Sequence, residues 1–159
     1  MFKKRITVLG IGNLLLSDEG IGIHSIQALE NESLADNVEL VDGAAGGFDL
    51  LPIIESCDKL IVIDAIKTSE KPGAIYQFDP QVIDVERDAN VSLHDVDFFH
   101  VLDYAKKYKR LPEIQMIGIV PKTIELGMEL SDTLQAKMRE ILSLVKLEIE
   151  KTNFVNIKD

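Results

Sequence analysis

The chain alternates between short apolar runs and segments in which apolar residues recur every three or four positions. Short unbroken apolar runs are typical of strands buried in a parallel sheet, and a three-to-four spacing is typical of one face of a helix. The apolar runs predict strands at residues 6–9, 38–41, 60–63, 74–78 and 114–120. The helical spacing predicts helices at residues 21–29, 48–54, 92–107 and from 131 to about 151, after which the chain is expected to fray.

This order of elements favours a three-layer α/β/α sandwich built on a mostly parallel central sheet. The run at 74–78 is short and follows the turn sequence Lys71-Pro72-Gly73, so we expect it to be an antiparallel edge strand. No repeat or linker divides the 159 residues, and residues 1–159 are expected to form a single domain. Ligands of such sheets bind beyond the carboxyl ends of the strands.

Acidic residues dominate the charge of the chain. The 27 Asp and Glu residues outnumber the 17 Lys and Arg residues, giving a net charge of −10. Such a surface disfavours nucleic-acid binding, which depends on phosphate neutralisation by basic side chains, and it attracts cations. The single cysteine, Cys57, excludes an intrachain disulfide and a thiolate zinc cluster.

No apolar run approaches the roughly 20 residues that a membrane-spanning helix requires. The basic N-terminus is followed by a short strand and glycines, and not by the apolar region of a secretory signal. We therefore expect a cytoplasmic protein without membrane insertion.

The most informative motif follows the first strand, at residues 10–22, and reads GIGNLLLSDEGIG. It begins like a dinucleotide-binding loop, but Leu15 stands where the third glycine of Gly-x-Gly-x-x-Gly is needed. The pair Asp18-Glu19 would also repel a pyrophosphate, and the Gly-Lys-Ser/Thr sequence of a P-loop is absent. Two carboxylates at this junction between loop and helix favour binding of a cation.

Three further candidates stand at neighbouring strand ends or helix starts. Asp42 follows the second strand, Asp64 follows the third, and His94 lies in the first turn of the third helix. With Glu19 they offer carboxylate oxygens and an imidazole nitrogen, a ligand set suited to Zn, Ni, Mn or Fe. Each residue alone also has an ordinary explanation, with Asp18 as a helix N-cap and the others as first-turn acids, turn residues or a surface histidine.

Taken together, these motifs resemble the hydrogenase maturation endopeptidases, which process the large subunit of nickel–iron hydrogenases. The resemblance spans roughly residues 5–150. It rests on five blocks in the family's order, LGIGNLLLSDEGIG at 9–22, VDG at 41–43, IVIDA at 61–65, SLHD at 92–95 and IGIVP at 117–121.

By motif position, the resemblance implies that Glu19, Asp64 and His94 are the metal ligands and act in catalysis through the metal. It implies that the metal is nickel supplied by the substrate precursor, although such ligands also accept other divalent metals. The implied partner is the large-subunit precursor of a hydrogenase, from which the enzyme removes a C-terminal extension once nickel is in place.

Two mechanisms stay open at this point. The metal either docks the precursor so that the scissile bond is correctly placed, or it polarises the peptide carbonyl or activates water. Asp18 and Asp42 are candidate bases. An alternative from another functional class is a noncatalytic nickel-binding maturation chaperone, which would bind the precursor without changing its mass.

Overall fold

The computed structural model describes residues 3–82 and 93–158, without the side chains of 93–97 and 156–158. Within these residues the strands are β1 (Ile6–Gly10), β2 (Val38–Asp42), β3 (Lys59–Ala65), β4 (Ile75–Phe78) and β5 (Glu113–Ile119). The α-helices are α1 (Ile21–Leu29), α2 (Leu51–Ser56), α3 (Leu93–Tyr108), α4 (Asp132–Gln135) and α5 (Met138–Lys158). Short 3₁₀ helices lie at Ser17–Gly20, Phe48–Leu50 and Pro80–Val82.

The strands form one sheet in the order β2-β1-β3-β5-β4. The pairs β1–β2, β1–β3 and β3–β5 are parallel, and β4 runs antiparallel to β5 at the edge. The prediction of a mostly parallel sheet with one antiparallel edge strand is confirmed.

Buried apolar residues cover both faces of the sheet in the described part of the chain. Alternate residues of a strand point to opposite faces. Ile61 and Ile63 of β3 therefore pack in a cluster with α1 and α5, whereas Leu60 and Val62 pack in another with α2 and α3. Because both faces of β3 are covered, the strand is apolar almost throughout, which is why its sequence shows a run and not an alternation.

The prediction of a single last helix that frays after residue 151 is wrong on both points. Ser131 does cap a helix, since its Oγ accepts a hydrogen bond from the Leu134 amide at 3.3 Å. That helix is the short α4, and a turn at residues 136–137 separates it from α5. Helix α5 continues to Lys158, and the Asn153 side chain contacts the side-chain amide of Asn37 at 2.7 Å. This tertiary contact holds the final turns in place.

None of the helices in the described ranges is both long enough and apolar enough to cross a membrane.

A buried lysine lies at the amino end of β3, away from the strand ends where ligands are expected. Lys59 is 2% exposed, and its Nζ lies 2.9 Å from carboxylate oxygens of both Glu113 and Glu148. Burial lowers the pKa of Lys59, but the hydrogen bonds to Glu148 and Glu113 outweigh that effect and leave the pKa above its usual value.

The Lys59→Met variant is expected to lose less stability than the wild type as the pH becomes alkaline. A lysine whose pKa rises on folding stabilises the fold below its unfolded pKa of about 10.4, and this stabilisation is lost as the pH rises through the folded pKa. Near pH 8 the variant should lose about 1–3 kcal/mol, because the largely buried carboxylate of Glu148 loses its donor. Urea unfolding of both proteins from about pH 8 to 11 tests this. Parallel pH profiles for the two proteins would contradict it.

Candidate functional site at the carboxyl edge of the sheet

The carboxyl ends of three parallel strands meet at one edge of the sheet. Gly10, the last residue of β1, is in register with Asp42 of β2 and with Ile63 of β3. The chain then turns off β1 with the Ile11 amide donating to the Ile63 carbonyl at 3.0 Å. Asp64, the next residue of β3, therefore lies beside the start of the loop that leads to Glu19.

Two glycines allow α1 to approach the sheet closely at this edge. A Cβ on Gly22 would collide with the carbonyl oxygen of Ile63, and a Cβ on Gly10 would collide with the carbonyl of Gly22. The close approach brings the preceding 3₁₀ turn, which carries Glu19, against β3. The glycines thus set the spacing between the element of Glu19 and the strand of Asp64.

Gly22→Ala is expected to destabilise the protein by about 1–3 kcal/mol, the usual cost of overpacking. Alanine normally stabilises a helix relative to glycine by about 1 kcal/mol. A loss of stability in this variant would therefore come from the contact of its Cβ with the sheet. Urea unfolding measures it. Gly20→Ala is the matched control with a smaller expected loss, because the nearest atom to its added Cβ is the Leu14 Cα at 3.2 Å. A Gly22→Ala protein as stable as the wild type would refute the close approach.

Both acidic ligand candidates among the described side chains are buried. Glu19 is 4% exposed and Asp64 is fully buried. The backbone around them is fixed, since the Glu19 carbonyl accepts from the Asn13 amide at 3.1 Å and Asp64 Oδ1 accepts from the Ala65 amide at 2.8 Å. Burying an ionised carboxylate is costly unless it is hydrogen-bonded, paired or bound to a metal. The burial of both side chains argues against the ordinary explanations, in which Glu19 is an exposed acid in the first turn of a helix and Asp64 is an exposed turn residue.

His94 lies in the first turn of α3, but its side chain is outside the described part of the structure. The described side chains contain no group of three or more His, Cys, Asp or Glu residues placed to hold a metal ion. The fit to a divalent cation therefore rests on the oxygen donors of Glu19 and Asp64, a donor type that such cations accept. The place of His94 as the third ligand stays a prediction.

Asp18 binds a distant segment of the chain and does not cap the 3₁₀ helix. Its Oδ1 accepts from the Ser131 amide at 2.7 Å, and its Oδ2 accepts from the Ser131 hydroxyl at 2.7 Å. Oδ2 also accepts from the amides of Lys122 and Thr123 at 2.9 and 3.1 Å. The N-cap of the 3₁₀ helix is Leu16 and the N-cap of α1 is Gly20, so the N-cap explanation of Asp18 is wrong. Because four donors already occupy this carboxylate, the geometry disfavours Asp18 as a base.

Asp42 is exposed at the end of β2, and its Oδ1 accepts from the Ala44 amide at 2.9 Å. The Ala44 carbonyl in turn accepts from the Gly12 amide at 2.7 Å, which ties this turn to the loop after β1. Asp42 thus serves as a turn residue next to the site, and its role as a base stays a prediction.

Sequence reasoning missed the segment 122–131, which Asp18 holds against the loop after β1. The Ser17 amide donates to the Gly127 carbonyl at 2.8 Å, and the Gly127 amide donates to the Leu15 carbonyl at 2.9 Å. Ser17 Oγ also donates to the Glu125 carbonyl at 2.7 Å. The alternation of apolar and polar residues from 124 to 129 was an available signal of an extended segment.

Cys57 has no part in this edge of the sheet. It follows α2 and is buried in the apolar cluster that α2 and α3 form with the sheet. Burial raises the pKa of the Cys57 thiol, which lowers its reactivity. The thiol is therefore structural.

Comparison with known proteins agrees with the order of these elements. A family model described as hydrogenase maturation protease matches residues 23–148. The hydrogenase 2 maturation protease of Escherichia coli K12 is 32% identical over 144 residues, which are 89% of this chain and 88% of that protein. The hydrogenase expression/formation protein HupD of Rhizobium leguminosarum is 37% identical over 124 residues, 76% of this chain and 61% of that protein.

A solved structure supports the same relationship. The hydrogenase maturating endopeptidase HybD from E. coli matches with a TM-score of 0.83 at 31% identity, covering 93% of each chain. The two chains therefore share their fold over most of their length.

Proposed function

This chain belongs to the hydrogenase maturation protease family, and from that premise we propose that it cleaves the large-subunit precursor of a nickel–iron hydrogenase. The proposed reaction removes a C-terminal extension from a precursor that already carries nickel, in the cytoplasm. The observation that supports this most is the burial of two carboxylates, Glu19 and Asp64, where the strand ends and the loop after β1 meet. Buried carboxylates at this position suit recognition of a cation.

Nickel in this proposal is part of the substrate. Glu19, Asp64 and His94 would receive the ion that the precursor carries, and three protein ligands would leave coordination positions for the precursor's own groups. Other divalent metals would satisfy the same donors. A precursor without nickel would lack the cation that these ligands would bind, so it would dock poorly.

The contribution of this chain to hydrolysis is first one of placement. Holding the precursor through its nickel orients the adjacent peptide bond, and such orientation lowers the barrier to reaction. A divalent cation there would also supply polarisation of a nearby carbonyl. In hydrolysis, a water oxygen adds to the peptide carbonyl carbon, the C–N bond breaks, and the leaving nitrogen takes up a proton. Asp42, exposed beside the site, remains the candidate acceptor for the proton of that water.

The experiment that tests the function is incubation of the protein with nickel-loaded and nickel-free precursor, followed by mass spectrometry of the precursor. We expect the nickel-loaded form to lose a C-terminal peptide and the nickel-free form to keep its mass. Tight binding without any mass change would overturn the protease proposal and favour the noncatalytic chaperone. Equal cleavage of both forms would overturn the role of nickel.

A further inference from the structure

An exposed apolar rim lies on the two segments that flank Glu19. It consists of Leu15 on the loop after β1 and Ile124, Leu126 and Met128 on the segment 122–131. Leu126 is 86% exposed, Met128 63% and Leu15 56%. Exposed apolar side chains gathered in one place commonly mark an interaction site.

The backbone holds the rim in place. Leu16 and Gly127 form a parallel β-bridge, which sets Leu15 next to Leu126 in the pairing. Hydrogen bonds on both sides of the bridge and the four donors on Asp18 fix the segment at both of its ends. Apolar side chains on a fixed backbone bind with a smaller entropic cost than those on a flexible loop.

The rim is also continuous with the proposed site. Asp18, which anchors the segment 122–131, is the residue directly before Glu19, and Leu15 lies four positions before it. A protein bound across the rim would therefore lie against the loop that leads from β1 to Glu19.

The charges around the rim favour one kind of occupant. Glu125 and Glu129 alternate with the apolar residues and are exposed. Two copies of this chain meeting through their rims would bring these carboxylates together, on molecules that each carry a net charge of −10. A surface with an apolar centre and Lys or Arg side chains around it would be complementary.

We propose that the rim of Leu15, Ile124, Leu126 and Met128 docks an apolar, basic-edged surface of the large-subunit precursor, an inference that rests on the proposed function. Contacts with the rim would stabilise the bound precursor and the transition state to the same extent. Loss of the rim is therefore expected to raise KM and leave kcat nearly unchanged.

The test compares Leu126→Ser/Met128→Ser with the wild type in steady-state cleavage of nickel-loaded precursor. We expect KM to rise about tenfold or more, as for loss of well-packed interface anchors, with kcat within about twofold. The conservative variant Leu126→Ile/Met128→Leu keeps apolar side chains at both positions and should have the wild-type KM. Leu147→Ser, at a half-exposed leucine of α5, is the matched control and should change neither constant.

A charge variant tests the chemistry of the partner. Glu125→Lys/Glu129→Lys should lower kcat/KM several-fold at low salt, and the difference should shrink at high salt because screening removes steering by exposed charges. An unchanged or higher kcat/KM at low salt would overturn the basic edge of the partner surface.

Other results separate the rim from the function. A wild-type KM in the double serine variant, or a fall in kcat at unchanged KM, overturns the rim. So does a wild-type dimer in size-exclusion chromatography that the serine variant converts to a monomer. If the wild type binds the precursor without cleaving it, the protease function fails, and the Kd of the serine variant still decides the rim. Failure of the wild type to bind any precursor overturns both.

Discussion

Replacing Asp64 with asparagine is expected to slow cleavage of nickel-loaded precursor by at least about a hundredfold, the scale of loss for a single group at a reaction centre. Asparagine has nearly the same shape, and its oxygen can still accept from the Ala65 amide. It lacks the negative charge that we propose meets the cation. Initial rates followed by mass spectrometry measure the effect, and urea unfolding checks that the fold is intact. Asp49→Asn, at an exposed acid of the Phe48–Leu50 turn, is the control and should keep the wild-type rate.

The same variant distinguishes the two open roles of the metal. If Asp64 only recognises the nickel of the precursor, saturating precursor should restore most of the rate, because the loss lies in KM. If the metal also acts on the scissile carbonyl, kcat should fall and excess precursor should not help. A rate close to that of the wild type at all precursor concentrations would remove Asp64 from the site.

Replacing Asp18 with alanine is expected to lower the free energy of unfolding by about 3–5 kcal/mol. The change leaves four donors without their acceptor, and hydrogen bonds to a charged group contribute about 1.5–3 kcal/mol each, with less than additive loss for groups that act together. Urea unfolding measures the loss. Cleavage between residues 122 and 131 in limited proteolysis should become faster, because the segment is released from the 3₁₀ turn.

Ser131→Ala is the matched partner variant for Asp18→Ala. It removes the hydroxyl, which both donates to Asp18 and caps α4, and keeps the three backbone amides on Asp18. We therefore expect a loss of about 1–2 kcal/mol and little change in proteolysis. If Ser131→Ala, which also loses the α4 cap, cost as much as Asp18→Ala, the three backbone amides would contribute no more through Asp18 than that cap does. The description of Asp18 as the anchor of this segment would then be wrong.

The local sequence was sufficient to place most elements of the fold. The run at 60–63 predicts a buried strand because both faces of β3 are covered, and every residue of β3 is indeed buried. The edge strand β4 was predictable because Pro72 and Gly73 break the chain just before it. Both signals come from residues close together in the sequence, which is the range over which hydrophobic periodicity predicts structure.

The last helix is a case in which the local sequence pattern did not predict the structure. Its apolar spacing continues across residues 136–137, so the pattern does not mark the break between α4 and α5. The final turns depend on Asn153 meeting Asn37, a residue 116 positions away. Such a contact leaves no periodic trace in the sequence.

For the candidate site, the sequence by itself determined the residue types and their places at strand ends, because parallel strands align their carboxyl ends at one edge. The prediction that Glu19 and Asp64 lie at the same edge of the sheet follows from this alignment. Only the tertiary structure decided that Asp18 and Glu19, adjacent in the chain, have different surroundings. Asp18 accepts bonds from residues 104 to 113 positions away, and the apolar rim exists because that bonding fixes the segment 122–131. The physical reason is that the sequence gives only the chemical identity of a carboxylate. Its role depends on which donors or cations lie around it in the folded protein.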